Sequence, residues 1–188
     1  MILSHIKKEQ TKTMAWASGT TTELFIYPSS GNFLTRDFLF RISTATVEAE
    51  ETTFSDFSGL TRILMPLEGN LTLFHEGHYT KELRPFEQDT FDGGWSTKSI
   101  GKVRDFNVMF KAPATAKLEA FEIFEFQKIE RFVKSQYLVI YIENGSFECE
   151  KVQLQKGDLF VVENAIDDKL ELVCLEQGNI LLIEVSLS

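Results

Sequence analysis

The chain has 188 residues, of which 43% are hydrophobic, and its 28 acidic and 19 basic residues give it a net charge of −9. This length is enough for one large β domain or two small fused ones, and the hydrophobic share supports a packed core. The acidic balance argues against a nucleic-acid partner, because phosphate backbones attract clustered lysine and arginine. An anion that binds here must therefore meet a local positive pocket.

Short strands separated by turns fill the first half of the chain, with almost no helical periodicity. Glu68-Gly69-Asn70 and the segment 75–78 are turn signals. In chain order the predicted strands of this half are 24–27, 38–48, 60–67, 71–74, 79–84 and 102–111.

The second half continues in the same way. Asn144-Gly145 predicts a tight hairpin, since both residues tolerate positive φ. The segment 127–134 is compatible with a short helix or a loop. The predicted strands of this half are 118–126, 137–142, 147–154, 159–163, 170–175 and 180–185.

Two fused barrels explain this strand count best. Ala112-Pro113-Ala114 is the most plausible boundary, which divides the chain into an N-terminal barrel at 1–111 and a C-terminal barrel at 112–188. The segments 82–91 and 153–160 echo one another, because each has a return strand, a turn, an aspartate and a phenylalanine. The predicted fold class is therefore all-β with two cupin-like barrels, and a single sandwich is the structural alternative.

Five polar motifs follow one another in a fixed order. They are WASGTTTE at 16–23, RISTATV at 41–47, FSDFSGLTR at 54–62, FDG at 91–93 and DFNVM at 105–109. This series resembles the HutD family, also called HutD/Ves, over roughly the first three fifths of the chain. The second half is similar only in being cupin-like, through LQKGDLF at 154–160. One departure is Ala17-Ser18-Gly19, where the family has a more glycine-rich segment after its tryptophan.

The resemblance implies a bicupin fold and a link with bacterial histidine utilisation. It also implies that the protein binds a small acidic intermediate, such as N-formylglutamate, without catalysing a step. The expected function is thus that of a non-catalytic binding protein with a small acidic metabolite as its partner.

A cationic pocket follows from strand alternation. Alternation puts Arg41, Ser43, Ala45 and Val47 on one face, which we expect to line the barrel lumen. Ser43 and Ala45 are small and leave space beside Arg41. A buried guanidinium is costly unless it is paired, and a carboxylate can accept two parallel hydrogen bonds from it.

Further polar residues extend this pocket. Asp105, Asn107 and Met109 share one strand face, Arg62 alternates with Leu64 and Pro66 on its own predicted strand, and Trp16 would supply an aromatic wall. The predicted ligand-binding set is Trp16, Glu23, Arg41, Ser43, Arg62, Asp105, Asn107 and Met109.

Structural roles for the same residues are the competing interpretation. Arg41 would then pair with Glu23 or Asp105 and brace the barrel, Arg62 would lie at a strand end in solvent, and Asp56 would organise the loop before Gly59.

Metal and covalent chemistry have little support. The three histidines are His5, in a terminus expected to be loose, and His75 and His78, expected in a solvated hairpin tip. Cys149 and Cys174 match no metal or redox spacing and are expected to be reduced and buried. We therefore predict no metal, no cofactor and no catalytic residue.

Two other functions stay open. The first is a metal-independent isomerase or hydrolase acting on a similar acid, with Asp105 or Glu23 as its acid or base. The second is a regulatory interaction protein, for which a homodimer is expected. The C-terminal barrel is expected to be structural, because its inward positions Leu170, Leu172, Cys174, Ile180 and Leu182 are apolar. The segment 1–10 lacks the apolar core of a signal peptide, and no stretch has the length of a membrane span, so we expect a cytoplasmic protein with no membrane partner.

Overall fold

The computed structural model describes residues 1–187, and its regular structure is β apart from one 3-10 turn at Lys8–Gln10. The all-β prediction is confirmed. The strands are β1 Ile2–Ile6, β2 Lys12–Trp16, β3 Gly19–Tyr27, β4 Phe40–Val47, β5 Glu51–Thr53, β6 Thr61–Glu68, β7 Leu71–His75, β8 Tyr79–Leu83, β9 Asp89–Asp92, β10 Thr97–Ile100, β11 Val103–Phe110, β12 Ala114–Ile123, β13 Lys128–Phe132, β14 Tyr137–Ile142, β15 Ser146–Cys149, β16 Val152–Gln155, β17 Leu159–Glu163, β18 Lys169–Glu176 and β19 Gly178–Leu187.

The chain forms two compact units. The first, here called the central unit, is Lys12–Pro113. It has a six-stranded antiparallel sheet in the order β2-β3-β4-β11-β6-β9 and a four-stranded sheet in the order β5-β10-β7-β8. Side chains from both sheets, among them Leu64, Leu73 and Val103, form one apolar cluster, so part of its core lies between the sheets.

The second unit, here called the terminal unit, combines Met1–Thr11 with the chain from Ala114 onward. Its sheets have the orders β1-β17-β14-β19-β12 and β13-β18-β15-β16. The five positions predicted to be inward and apolar, Leu170, Leu172, Cys174, Ile180 and Leu182, all lie in its apolar core. Cys149 and Cys174 are both buried and free, as predicted.

The two units repeat one strand order. In the central unit the succession β4-β11-β6-β9 lies in one sheet and β5-β10-β7-β8 in the other. In the terminal unit β12-β19-β14-β17 and β13-β18-β15-β16 follow the same succession, so that β4 to β11 match β12 to β19 one by one in chain order. The echo noticed between 82–91 and 153–160 falls on matching strands of this repeat.

Three local predictions were wrong. The segment 147–154 is two strands, β15 and β16, because Glu150 and Lys151 both adopt positive φ and form a turn. Asn144-Gly145 joins strands of different sheets and not a hairpin. The segment 127–134 contains β13 and is neither helix nor loop.

The N terminus also differs from the expected division. Met1–Thr11 belongs to the terminal unit, since β1 pairs with β17 along its length. His5 is not in a loose terminus, because its Nε2 lies 2.9 Å from Asp158 Oδ2. Among residues 1–187 the structure has no helix long and apolar enough to cross a membrane.

Gly69 and Gly77 test how tightly the central unit is packed around its turns. Both have φ near +80°, which is strained for any other residue, but a Cβ on Gly69 would clash with Lys102 O whereas one on Gly77 would meet nothing within 4 Å. We expect Gly77→Ala to lower the free energy of unfolding by about 1–2 kcal/mol. Gly69→Ala should lower it by about a further 1–3 kcal/mol, because the overpacked backbone has to move.

Urea unfolding of both variants measures the difference. Equal losses for the two would show that the close approach of residues 69 and 102 does not constrain the turn.

Candidate functional site

Three rows of side chains cross the six-stranded sheet at the same face. The register places Arg41 of β4 opposite Met109 of β11, and Met109 opposite Arg62 of β6. The next row is Ser43, Asn107 and Leu64, and the third is Ala45, Asp105 and Pro66. Strand alternation thus brings both arginines, one amide and one carboxyl to a single face, with the arginines on either side of Met109.

Arg41 is buried, with 1% of its surface exposed. Its Nε donates a hydrogen bond to Glu23 Oε2 at 2.8 Å, and Nη1 donates to Ser43 Oγ at 3.1 Å. The guanidinium also lies 4.0 Å from the ring centre of Phe33. Nη2 is buried and has no hydrogen-bond partner. The predicted bracing pair with Glu23 therefore exists, but it leaves one donor of Arg41 unsatisfied.

Arg62 is buried as well, with 5% exposed, so its proposed position at a strand end in solvent is wrong. Its guanidinium carbon is 4.5 Å from the ring centre of Phe54, 5.3 Å from that of Phe91 and 5.5 Å from that of Phe57. Its Nε is buried without a partner. Burial lowers the pKa of Arg62 to about 10, and the nearby charge of Arg41 acts in the same direction.

Asp105 and Asn107 add two polar groups between the arginines. Both are buried, and each has an Oδ1 atom without a hydrogen-bond partner. Burial raises the pKa of Asp105 to about 7, although the positive charges of Arg62 and Arg104 oppose the shift. A buried oxygen without a donor costs free energy, so these two atoms distinguish this face from an ordinary packed sheet interior.

These side chains line one cavity of about 400 Å³, within the range of small-molecule sites. Of the predicted set, the cavity brings together Trp16, Arg41, Ser43, Arg62, Asp105, Asn107 and Met109. Glu23 does not line it and lies behind Arg41 as its ion-pair partner. The remaining lining residues are Met14, Ala15, Thr21, Phe33, Ala45, Val47, Thr52, Thr53, Phe54, Ser55, Phe57 and Leu64.

The aromatic wall differs from the predicted one. Trp16 lies on the edge strand β2, where it lines the cavity and is 43% exposed. Phe33, Phe54 and Phe57, which the sequence interpretation missed, stack on the arginines instead. Two of them belong to the motif at 54–62, of which only Arg62 was expected to reach the pocket.

The loops that carry these phenylalanines are tied together. The rings of Phe33 and Phe57 are 5.6 Å apart, and the Arg36 guanidinium donates a hydrogen bond to Asp56 O. Asp56 Oδ1 accepts hydrogen bonds from Ser58 N and Ser58 Oγ, which lower its pKa and give it the predicted loop-organising role. The aromatic wall is thus held in place by contacts within the loops.

His75 forms a second polar cluster in the central unit, and its predicted place in a solvated turn is wrong. It ends β7 and is buried, with Nδ1 2.8 Å from Thr97 Oγ1 and Nε2 2.9 Å from Asp89 Oδ2. Asp89 also accepts hydrogen bonds from Tyr79 and Lys81. Thr97 is fully buried, and its bond to His75 and the bond of His75 to Asp89 brace the sheet.

His78 is exposed and stacks on Trp95 at 3.7 Å between ring centres. Within residues 1–187 no three histidine, cysteine, aspartate or glutamate side chains are grouped so as to share a metal ion. The described lining of the cavity contains one carboxyl, Asp105, and no imidazole or thiol. That donor set does not fit a metal centre of the cupin type.

Comparison with protein families gives a match to HutD over residues 8–182. No curated protein matches the chain. The family resemblance drawn from the five polar motifs is confirmed, and the match extends beyond them into the terminal unit.

Solved structures agree in fold. A conserved protein of unknown function from Pseudomonas aeruginosa PAO1 superposes with a TM-score of 0.84 at 22% identity, over 99% of this chain and all of that one. HutD from Pseudomonas fluorescens SBW25, solved in a formate condition, gives 0.79 at 21% identity over 98% of both chains. Bacterial pirin YhhW from Escherichia coli, in complex with nickel(II), gives 0.75 at 8% identity over both complete chains. The fold is therefore that of the cupins.

Glu23 and Glu68 provide a matched test of the buried ion pair, because each pairs with an arginine across the same sheet. Glu23→Ala should lower the free energy of unfolding by about 2 kcal/mol, since it leaves the buried Arg41 without its carboxylate. Glu68→Ala, which removes the partially exposed pair with Arg104, should change it by about 1 kcal/mol or less. Chemical denaturation measures both, and a loss for Glu23→Ala no larger than for Glu68→Ala would contradict the assigned role.

Proposed function

The chain belongs to the HutD family, and we propose that its central unit binds a small acidic metabolite without transforming it. The observation that carries this proposal is a pair of buried guanidiniums in one cavity, each with an unpartnered donor, Arg41 Nη2 and Arg62 Nε. An unsatisfied buried donor of a charged group is expensive, and a carboxylate is the group whose geometry suits a guanidinium best.

The faces of both guanidiniums are already occupied. Phe33 covers Arg41, and Phe54 covers Arg62. Stacking of this kind uses the π-face and leaves the in-plane N–H groups for an acceptor. The remaining capacity of each arginine is thus directed toward a ligand oxygen, as in sites that recognise carboxylates or phosphates.

The spacing of the two arginines favours a guest with more than one acidic group. Arg41 and Arg62 occupy the strands on either side of β11, so their backbones are about 10 Å apart. Their long side chains shorten the gap, and a molecule with two carboxylates can engage both. Asn107, between them on β11, presents an unpartnered oxygen that suits an amide N–H of the guest.

An acylated amino acid with two carboxylates has these features. N-formyl-L-glutamate is one, and it would connect this chain to histidine utilisation, which the family resemblance implies. We propose that the protein buffers or senses such an intermediate and thereby modulates that pathway.

A thermal-shift panel tests the proposal with formate, succinate, L-glutamate and N-formyl-L-glutamate as probes. At a ligand concentration one hundred times the Kd, binding adds about 2.7 kcal/mol to stability, which corresponds to roughly 5–10 °C in Tm for a chain of this size. Arg41→Ala and Arg62→Ala should each abolish the shift, because each removes one charged donor group.

Arg84→Ala is the matched control, since it removes an exposed positive charge of the same unit and should leave the shift unchanged. Binding that survives the loss of both cavity arginines would refute the proposed site, and so would a panel in which no acid raises the Tm.

A metal-independent enzyme acting on a similar acid is the second candidate, and the pKa of Asp105, raised to about 7 by burial, favours it. A carboxyl that titrates near neutral pH suits general acid–base catalysis. Asp105 would then be the proton-transfer group and Glu23 would position Arg41.

Proton NMR of the acids incubated with the protein separates the two candidates. The binding proposal predicts unchanged spectra over days. The enzyme candidate predicts new resonances that disappear in Asp105→Asn.

A further inference from the structure

The charges around the cavity of the central unit form two nearly neutral pairs. Arg41 is bonded to Glu23 on β3. The negative charge that acts on Arg62 of β6 is the carboxylate of Asp105 on β11. Arg104, next to Asp105 in the chain, is bonded to Glu68. Apart from Arg41, Arg62 and Asp105, the residues that line the cavity carry no charge.

A guest anion therefore enters a cavity that has no spare positive charge while Asp105 is ionised. In a buried site an uncompensated charge is strongly disfavoured, and the usual response is neutralisation of an ionisable group. Both guanidiniums must stay charged to bind the guest. Asp105 is thus the group inside the cavity whose protonation leaves Arg62 free to balance the guest.

The surroundings of Asp105 suit the neutral form. Its cross-strand neighbours are Ala45 and Pro66, which offer no side-chain donor, and its Oδ1 is buried without a hydrogen bond. Asn107, two residues along the same strand face, presents a second unpartnered oxygen. A proton on Asp105 converts one of these two acceptors into a donor, which removes a deficit of donors at this end of the cavity.

We propose that the guest acid and one proton bind together, with the proton held by the carboxyl of Asp105. The proton comes from solvent and forms an O–H bond on the carboxylate, so one positive charge offsets one negative charge of the guest. This inference rests on the proposed function, because it needs an acid in the cavity. It makes Asp105 the residue through which pH regulates the affinity of the site.

The direction of the pH effect follows from linkage. The pKa of Asp105 in the empty cavity is about 7, and a bound anion beside it raises that pKa further. At a pH between these two pKa values, Asp105 is ionised in the empty protein and protonated in the protein that holds the guest. Affinity should therefore fall about tenfold for each unit of pH above 7, and should be nearly constant below it.

Isothermal titration calorimetry of the complete chain tests this with the four acids of the panel between pH 6 and 8.5, where carboxyl groups of the probes do not titrate. At pH 8 the measurement is repeated in two buffers with different heats of ionisation, which gives the number of protons taken up. We expect close to one proton for the wild-type protein and a Kd at pH 8.5 at least tenfold weaker than at pH 6.5.

Asp105→Asn mimics the protonated carboxyl and should bind with a Kd independent of pH and without proton uptake. Glu82→Gln makes the same charge change at an exposed position of the same unit and should behave like the wild type. The buffer comparison on the wild type needs no variant, so it stands even if Asp105→Asn folds poorly.

The outcomes are distinct. Binding of an acid with no proton uptake at pH 8, or uptake that persists in Asp105→Asn, overturns the role of Asp105 while the proposed function survives. Failure of every acid to bind at any pH overturns the proposed function and this inference with it.

Discussion

Two cations removed from water on one face of a sheet are the constraint on which the rest of the site depends. Arg41 and Arg62 are tolerated there because phenylalanine rings cover their faces and because Glu23 neutralises one of them. Neither the stacking nor the ion pair satisfies every N–H donor of the two guanidiniums, and burial makes the remaining donors costly. The small side chains of Ser43 and Ala45 keep space open beside them. The cavity is therefore the consequence of placing charge where the fold would otherwise place apolar side chains.

The terminal unit shows what the same strand order does without charge. Its strands β14 and β19 correspond to β6 and β11 of the central unit in the shared succession. Their inward residues, which include Leu138, Ile140 and Leu182, belong to a continuous apolar cluster. Burial of such side chains stabilises each of them by roughly 1.5–3 kcal/mol. One repeat thus supplies a packed interior, while the other gives up part of that packing for a polar cavity.

Strand alternation explains why much of the site could be predicted from the sequence. Arg41, Ser43 and Asn107 lie in long strands in which a period of two fixes the inward face. Alternation of Leu71 and Leu73 would also have identified His75 as buried, but the turn after it hid the signal. Phe33 and Phe57 lie in loops, whose path depends on contacts between distant segments, such as Arg36 with Asp56. The pairing of β1 with β17 joins segments that are far apart in the chain and leaves no local pattern to detect.

The strongly acidic composition is compatible with the proposed binding of an anion in this cavity. Exposed charges act through water and salt, which screen them within about 8–10 Å. Inside the cavity the dielectric is lower and the charges of Arg41, Arg62 and Asp105 dominate at short range. In the proposed mode of binding, the charge state of Asp105 therefore matters more to an incoming acid than the net charge of −9. On this proposal the acidic surface disfavours polyanions, while the buried carboxyl sets the charge balance for a small guest.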